Sequence, residues 1–406
     1  MTHEERSAIG SRRTALYTDP VQFEPLLPQK GLDGFRSRAA AITETSLRLS
    51  SKAHPSTRAR LRELLRAMNS YYSNRIEGQS THPLNIERAL KRDFSDEPET
   101  AKLQRIALAH IEAERELEER VEEGANALTA EFALDAHRAM YGRLSAADRT
   151  SPDGVVVQPG EIRTQTVRVG EHVPPEPHSI GRFLARYEEV YAAKRSHDER
   201  LIRIACAHQR LAWVHPFVDG NGRATRLVTH AALYPITGGV WSVSRGLARR
   251  RDEYYARLAD ADEPRRGDLD GRGNLSEEGL RRWSGFFLDV CEDQSAFMGR
   301  LLDLDAVKAR ITALIAFRST TDRKIRAEAV LPLYHLFTAG PATRAEFRQM
   351  TGLGERTAQA LLSRLLATGL VEADTSLGPV RFGMPLDALQ FLLPDLYPEA
   401  ATRPDA

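Results

Sequence analysis

Residues 215–226 read HPFVDGNGRATR and combine a histidine, an acid, a glycine-rich turn and two arginines within one short segment. Pro216 and the glycines interrupt any continuous helix, and Gly220 and Gly222 allow a tight turn whose backbone N–H groups point inward. A helix is expected to follow directly, over residues 223–234, so its free N–H groups and its dipole favour an anion at the same place. The sequence therefore predicts an anion nest that opens into a helix.

The side chains of this segment suit phosphate chemistry. Arg223 and Arg226 are three residues apart, so they project from one side of the helix and can hold phosphates through charge-assisted hydrogen bonds. Asp219 is a hard oxygen ligand suited to Mg²⁺ that is shared with substrate phosphates. His215 is a base whose ordinary pKa is near neutrality. Each residue alone is an ordinary loop residue, but together they predict a phosphate-transfer site.

The segment resembles the Fic family signature, His-x-Phe-x-Asp/Glu-Gly-Asn-Gly-Arg-x-x-Arg, and matches it at every defined position. The resemblance implies a helical bundle that transfers AMP from ATP to a protein hydroxyl group and releases pyrophosphate. It implies that His215 deprotonates the target hydroxyl and that Asp219 binds Mg²⁺. Arg223 and Arg226 would hold the outer phosphates. The residues that would cradle the transferred α-phosphate are Gly220, Asn221 and Gly222.

Two further stretches extend the resemblance. Residues 155–177 carry valines among glycines and prolines, a pattern that predicts a short hairpin. Within them, residues 160–175 resemble the family's flap, which lies over the site and aligns the target protein by main-chain pairing. Tyr254 or Tyr255 could face the adenine of the nucleotide, and two core aromatic residues are the alternative interpretation.

Upstream, residues 73–78 read SNRIEG at the end of a predicted helix and resemble the family's inhibitory motif, Ser/Thr-x-x-x-Glu-Gly/Asn. The motif residues would be Ser73, Glu77 and Gly78. The resemblance implies an ion pair between Glu77 and Arg226 that occupies the arginine needed for the γ-phosphate. Without this context, a glutamate near a helix end is normally a solvated side chain. The second serine that is usual in the motif is Asn74 here.

Helical periodicity, with apolar residues at i, i+3, i+4 and i+7, dominates the rest of the chain. It predicts a helix at 32–49, one that begins near residue 57 and ends near Gly78, and further helices at 84–92, 99–122, 129–144, 246–260 and 277–316, the last broken once. After residue 326 an apolar helix, a capping box and a third helix precede two short strands, an order that resembles a winged helix-turn-helix.

This C-terminal part carries six basic and six acidic side chains between residues 326 and 393. A module that neutralises DNA phosphates normally has a basic face. The charge balance therefore leaves DNA binding open beside protein interaction or dimerisation.

Composition narrows the class of protein. The 406 residues include 57 Lys and Arg against 56 Asp and Glu, so no overall charge favours nucleic acid or an anionic membrane. Cys206 and Cys291 lie in apolar helix-like runs, which indicates a reduced compartment. The N-terminus lacks the apolar stretch of a signal peptide. We expect a cytoplasmic protein without membrane partners, and the excess of arginine over lysine indicates a bacterial source.

The predicted architecture is mainly α: a Fic helical bundle with a small β-hairpin flap and a C-terminal winged helix-turn-helix. The predicted domains are 1–128, an N-terminal helical region with the inhibitory helix; 129–300, the Fic catalytic core; 301–325, a linker helix; and 326–398, the winged-helix-like domain.

The predicted function is a protein adenylyltransferase that uses ATP and Mg²⁺, binds its target protein along residues 160–175, and is inhibited by Glu77. A homodimer and DNA remain open as further partners. One alternative is a DNA-binding regulator whose Fic core senses nucleotide. Another is a Fic enzyme that removes AMP or transfers a different phosphate-linked group.

Overall fold

The computed structural model describes residues 16–151, 153–193 and 197–397. The start of the predicted N-terminal region and the last residue of the predicted C-terminal domain lie outside these residues. The described chain is mainly helical. Its first helices are α1 (Leu32–Ser50), α2 (Pro55–Ile76), α3 (Pro83–Leu90), α4 (Pro98–Glu122), α5 (Ala130–Tyr141), α6 (Ile180–Tyr191), α7 (His197–Val214) and α8 (Asn221–Thr237). They are followed by α9 (Ser244–Arg249), α10 (Arg251–Asp262), α11 (Glu277–Leu301), α12 (Leu304–Thr321), α13 (Val330–Thr338), α14 (Arg344–Met350), α15 (Glu355–Ala367) and α16 (Leu389–Leu392).

Local signals fix where several helices begin. The Thr129 hydroxyl accepts a hydrogen bond from the Phe132 N–H at 3.2 Å and caps α5. Thr343 and Glu346 form the predicted capping box of α14. The predicted 277–316 helix is broken once, between α11 and α12, whereas the predicted 246–260 helix is divided at Arg250 into α9 and α10.

The central helix of the bundle is α8, which packs against α1, α4, α5 and α7. Nearly all of its residues are buried, including Arg223, Arg226 and His230. A charged side chain in such a position needs a protein partner or a ligand. The helix begins at Asn221, two residues before the predicted start, so Gly222 lies in the first helical turn and does not form part of the loop.

One face of α2 is buried along its whole length, as the sequence predicts; its residues include Leu61, Leu65, Met68, Tyr72 and Ile76. The helix lies beside α4 and α9, and its last turn reaches the N-terminal part of α8. Gly78 has a φ of 77°, the left-handed conformation that lets the chain turn away after the helix. The end of α2 is therefore held next to the predicted phosphate site.

The hairpin predicted between residues 155 and 177 is shorter in the structure. In the described part of this segment, the pairing within the flap is a single antiparallel bridge between Val169 and His172, with N–H to O distances of 2.9 and 3.0 Å. Arg163, near the start of the flap, instead contacts the His215 and Pro216 carbonyl groups of the loop after α7, and it also donates to the Pro175 carbonyl at the other end of the flap. Few backbone N–H and carbonyl groups of the flap therefore take part in strand pairing within it.

The C-terminal part has the predicted order of elements. After α13, α14 and α15, strands β1 (Val371–Glu372) and β2 (Arg381–Phe382) form an antiparallel pair in which Val371 lies opposite Phe382. The mainly helical class with a small antiparallel sheet is thus confirmed. This part packs on α2, where the Tyr72 hydroxyl donates to the Leu396 carbonyl at 3.2 Å. Among the described helices, none has the length and apolar character that crossing a bilayer requires.

Candidate active site

The loop between α7 and α8 is a tight turn with unusual backbone angles. His215 has a φ of 49° and Gly220 a φ of 80°, both in the left-handed region. A side chain at position 220 would collide with the ring of Tyr141, so glycine is required there for space as well as for conformation. A non-glycine residue at positive φ is held there only by its surroundings, which marks His215 as a constrained position.

The Asn221 side chain closes the loop. Its Oδ1 accepts from the Phe217 N–H at 2.9 Å, and its Nδ2 donates to the Phe217 carbonyl at 2.8 Å. Phe217 is only 1% exposed, and its ring stacks on His137 with 3.9 Å between centroids. The side chain of Asn221 therefore shapes the loop. The group of Asn221 that can bind a phosphate is its backbone N–H, which lies in the first turn of α8.

His137, which the sequence analysis did not single out, joins two segments of the site. Its Nδ1 accepts from the Gly160 N–H at 2.8 Å, and its Nε2 lies 3.1 Å from the Asp219 carbonyl. These contacts require a neutral ring that donates from Nε2, and burial lowers the pKa of His137 to about 4. The start of the flap and the acidic residue of the loop are thus fixed relative to each other.

Arg163 fastens the flap to the loop and was also missed. Its backbone N–H donates to the Pro216 carbonyl at 2.9 Å, and its Nε donates to the His215 carbonyl at 2.8 Å. Its Nη2 donates to the Pro175 carbonyl at 2.6 Å. The guanidinium therefore holds both ends of the flap against the residue expected to act as the base.

His215 lines a cavity of about 710 Å³. The same cavity is lined by flap residues 168–173, by Asn221 and Gly222 at the start of α8, and by Arg226. Burial, with smaller contributions from the neighbouring His172 and Arg163, lowers the pKa of His215 to about 4. The imidazole is consequently neutral at physiological pH, the form in which it can accept a proton.

Glu77 lies between this cavity and a second one of about 480 Å³, because its side chain lines both. The second cavity is lined by Asp219 and Arg223, not by His215. One Asp219 oxygen, Oδ1, accepts from the Gly220 N–H at 2.6 Å. The predicted base and the predicted metal ligand therefore line two different cavities, and Glu77 lines both.

The ion pair expected between Glu77 and Arg226 is present, with 2.6 Å between Oε1 and Nη2. Ser73 completes the contact, since its hydroxyl accepts from Arg226 Nε at 2.9 Å and its carbonyl accepts from Nη2 at 3.1 Å. The Arg226 side chain is 2% exposed and that of Glu77 29%. Burial by itself raises the pKa of Glu77, but the charges of Arg226 and Arg223 outweigh it and hold the pKa below its usual range.

Arg223 is held by uncharged groups. Asn74 Oδ1 accepts from its Nε at 3.1 Å, and Gln79 Oε1 accepts from its Nη2 at 2.6 Å. The Tyr141 hydroxyl lies 2.9 Å from its Nη1. Asn74, the departure from the usual motif, is thus a partner of the first arginine, while Gln79 and Tyr141 had no signal in the sequence that pointed to this contact.

The two tyrosines named for the adenine differ in their surroundings. Tyr254 is 2% exposed, and its hydroxyl lies 2.9 Å from His208 Nε2 in the core. Tyr255 is 42% exposed and donates to the Ile76 carbonyl at 3.2 Å. Both line the larger cavity, and Tyr255 has the more accessible ring.

The part of the chain that contains this loop is similar to known proteins. Residues 127–233 match the model of the Fic/DOC family. The chain contains a Fic/DOC domain. Over 107 residues, 26% of this chain, it is 32% identical to the protein adenylyltransferase Fic of Drosophila grimshawi and 33% identical to that of Drosophila virilis. The chain spans about a fifth of the length of these curated Fic relatives, 20% in both cases.

Solved structures similar to this chain include a Fic family protein from Desulfovibrio desulfuricans G20, at 16% identity and a TM-score of 0.49, covering 91% of this chain and 99% of that one. Residues 134–508 of Fic-1 from C. elegans align at 19% identity and a TM-score of 0.47, covering 64% of this chain and 72% of that one.

Proposed function

We propose that this chain is a protein adenylyltransferase that transfers AMP from ATP to a hydroxyl side chain of a target protein. The observation that carries this proposal is that His215, the first turn of α8 and Arg226 line one cavity. A base, a phosphate-binding helix end and a guanidinium can then act on one bound nucleotide. The match to proteins named protein adenylyltransferase Fic points in the same direction.

In the proposed reaction, His215 takes the proton of the target hydroxyl, whose oxygen forms a bond to the α-phosphorus of ATP. The bond between that phosphorus and the bridging oxygen breaks, and pyrophosphate leaves. Backbone N–H groups of Asn221 and Gly222 would hold the α-phosphate, and Gly220 allows the turn that aims them. Arg223 and Arg226 would hold the outer phosphates, where charge accumulates on the leaving group.

Asp219 is the residue we propose for Mg²⁺. Gly220 occupies one of its oxygens, and Oδ2 has no hydrogen bond within the described part of the chain. A carboxylate next to phosphate-binding arginines suits a cation shared with the substrate. Mg²⁺ would neutralise negative charge on the phosphates. Replacement of Asp219 by Ala should therefore abolish the dependence of transfer on Mg²⁺ concentration, and an unchanged titration would contradict the assignment.

Control of the proposed activity rests on the motif of Ser73, Glu77 and Gly78. Glu77 pairs with Arg226, the arginine proposed for the γ-phosphate, so ATP would bind in a pose unfit for transfer while the pair persists. The target protein would lie along residues 160–175, which Arg163 fastens over His215. We propose the division into 1–128, 129–300, 301–325 and 326–398 as the domain organisation.

The test is transfer of label from α-³²P-ATP in the presence of Mg²⁺, by the wild type, Glu77→Gly and Glu77→Gly/His215→Ala. Labelling by Glu77→Gly that is lost in the double variant, with AMP found on a hydroxyl by mass spectrometry, is the expected result. A different adduct would favour transfer of another phosphate-linked group, and loss of AMP from a modified protein would favour removal. Salt-sensitive binding of duplex DNA without any transfer would favour the regulator.

A further inference from the structure

Behind the arginines of the candidate active site, α4 and α8 enclose a cluster of ionisable side chains for which the proposed reaction has no use. Glu114 and Glu118 on α4 are each 2% exposed, and His230 on α8 is 5% exposed. His230 Nε2 lies 2.7 Å from Glu118 Oε1 and 3.4 Å from Glu114 Oε1, and one ligand atom from each residue lies within 4.8 Å of the others. We infer that these three residues form a buried site for a divalent transition-metal ion.

A fourth side chain beside the cluster lacks a partner. His110 lies one turn before Glu114 on α4 and is 2% exposed, and its Nδ1 is 3.9 Å from Glu114 Oε2. Within the described chain, neither of its ring nitrogens makes a hydrogen bond. Burying an imidazole without partners forfeits its hydrogen bonds to water. A buried imidazole whose ring nitrogens lack hydrogen bonds, beside two carboxylates, is a donor of the kind that metal sites use.

Residues of α2 support the two carboxylates from behind. Arg66 donates to Glu118 Oε2 from Nε at 2.9 Å and from Nη2 at 2.6 Å. Asn69 Nδ2 donates to Glu114 Oε1 at 2.7 Å. Such outer contacts fix the orientation of metal-binding carboxylates in known sites. The cluster therefore joins α2, α4 and α8, one turn away from Ser73 and Arg226.

The geometry requires little change to accept an ion. Metal–ligand distances of about 2.0–2.2 Å place neighbouring ligand atoms roughly 3.3 Å apart in a tetrahedral site. The 3.4 Å between His230 Nε2 and Glu114 Oε1 matches this value, whereas the 2.7 Å between His230 Nε2 and Glu118 Oε1 is a hydrogen bond that a bound ion would replace.

The mixture of ligand atoms indicates which ions fit. Ca²⁺ and Mg²⁺ are bound mainly by oxygen, whereas imidazole together with carboxylate suits Zn²⁺, Mn²⁺ or Fe²⁺. This site would also differ from the one proposed at Asp219, which is a single carboxylate at the wall of a cavity. The buried ion would stabilise the bundle without taking part in transfer.

The experiment measures metal directly. The full chain is purified without chelators and analysed by inductively coupled plasma mass spectrometry; a second sample is treated with EDTA and titrated with ZnCl₂ or MnCl₂ while its Tm is recorded. We expect about one bound metal per chain, or a rise in Tm on adding one of the two salts. Asp219→Ala should retain this ion, which separates the buried site from the proposed Mg²⁺ site.

Two glutamate variants of the same helix provide the matched comparison. Glu114→Gln removes a ligand and should weaken metal binding by more than the roughly 10–100-fold that loss of a supporting residue costs. Glu116→Gln makes the same chemical change on a partly exposed side chain that pairs with Arg143, and it should bind as the wild type does.

A wild-type chain that carries no metal and whose Tm responds to neither salt would overturn the proposal and leave the cluster as a network of ion pairs. Equal metal binding by Glu114→Gln and wild type would overturn it as well. Where Glu114→Gln fails to fold, the metal content and the Tm response of the wild type decide.

Discussion

The loop of residues 215–226 and the C-terminal end of α2 face the same two cavities, yet their polar groups are engaged differently. On the loop side, His215 is neutral and the first N–H groups of α8 have no partner within the helix. On the α2 side, Ser73 and Glu77 contact Arg226. The loop therefore offers a base and backbone donors to a substrate. The side chains at the end of α2 instead bind the arginine that the phosphates of a substrate would need.

The two arginines sharpen this contrast. Arg226 is held by a carboxylate, and Arg223 is held by the uncharged side chains of Asn74, Gln79 and Tyr141. A charged partner competes with a phosphate far more strongly than an amide does. Changes in the loop should therefore abolish transfer, changes at Glu77 should raise it strongly, and changes around Arg223 should raise it modestly.

The largest effect is expected for His215→Ala in the Glu77→Gly background. Loss of a general base lowers the transfer rate by ~10²–10⁴-fold and leaves ground-state binding of ATP nearly unchanged. Single-turnover transfer and calorimetric titration with ATP measure the two quantities separately. Transfer at a rate close to that of Glu77→Gly would remove His215 from the role of base.

The second effect is the gain expected from Glu77→Gly. Freeing the Arg226 guanidinium makes available charge-assisted bonds to the γ-phosphate worth ~1.5–3 kcal/mol, or about 10–150-fold in transfer rate. The rate with saturating ATP and Mg²⁺ is the measurement.

The control for this gain is the double variant Glu77→Gly/Arg226→Ala. Because the increase in transfer rate is attributed to the released Arg226, it should disappear in the double variant. The effects of the two substitutions on the rate should therefore be strongly non-additive. Glu77→Gln, which keeps the side-chain length and removes the charge, should give an intermediate rate. A Glu77→Gly chain no more active than wild type, with ATP binding intact, would return Glu77 to an ordinary helix-end glutamate.

A smaller effect is expected at Arg223. Gln79→Ala in the Glu77→Gly background removes an uncharged acceptor of Arg223 and should raise the transfer rate by no more than about 10-fold, which corresponds to the ~1.5 kcal/mol of the weakest hydrogen bonds to a charged group. Gln359→Ala is the matched control, since Gln359 accepts from Arg348 Nη1 at 2.7 Å in the C-terminal part. A gain from Gln79→Ala as large as that from Glu77→Gly would show that charge does not distinguish the two arginines.

The turn at Gly220 and the helix that follows it could be predicted because their signals are local. Gly220, the helix that follows it and the two arginines all lie within one short segment, where turn chemistry and helix periodicity act directly. The contact between Glu77 and Arg226 spans 149 positions and could be expected only through the resemblance to a family.

Long-range contacts explain what sequence reasoning missed. Arg163 reaches the His215 carbonyl across 52 positions, and His137 reaches the Asp219 carbonyl across 82. Neither residue belongs to a pattern in its own segment. The short hairpin predicted for residues 155–177 is reduced to the bridge between Val169 and His172 for the same reason: the valines predict strand pairing, but contacts with the loop determine how the flap backbone is held.

The smallest effect concerns pH. Burial, with smaller effects of His172 and Arg163, lowers the pKa of His215 to about 4, and a base acts in its unprotonated form. Lowering the pH from 8 to 6 then leaves nearly all of the imidazole neutral, and the transfer rate of Glu77→Gly to a serine or threonine hydroxyl at saturating ATP and Mg²⁺ should change by less than about 2-fold. A histidine with an ordinary pKa near 6.5 would be mostly protonated at pH 6, and the rate would fall about fourfold over the same range. A rate that falls in this way would show that His215 is charged at pH 6, so that a neutral base would no longer distinguish the loop from the end of α2.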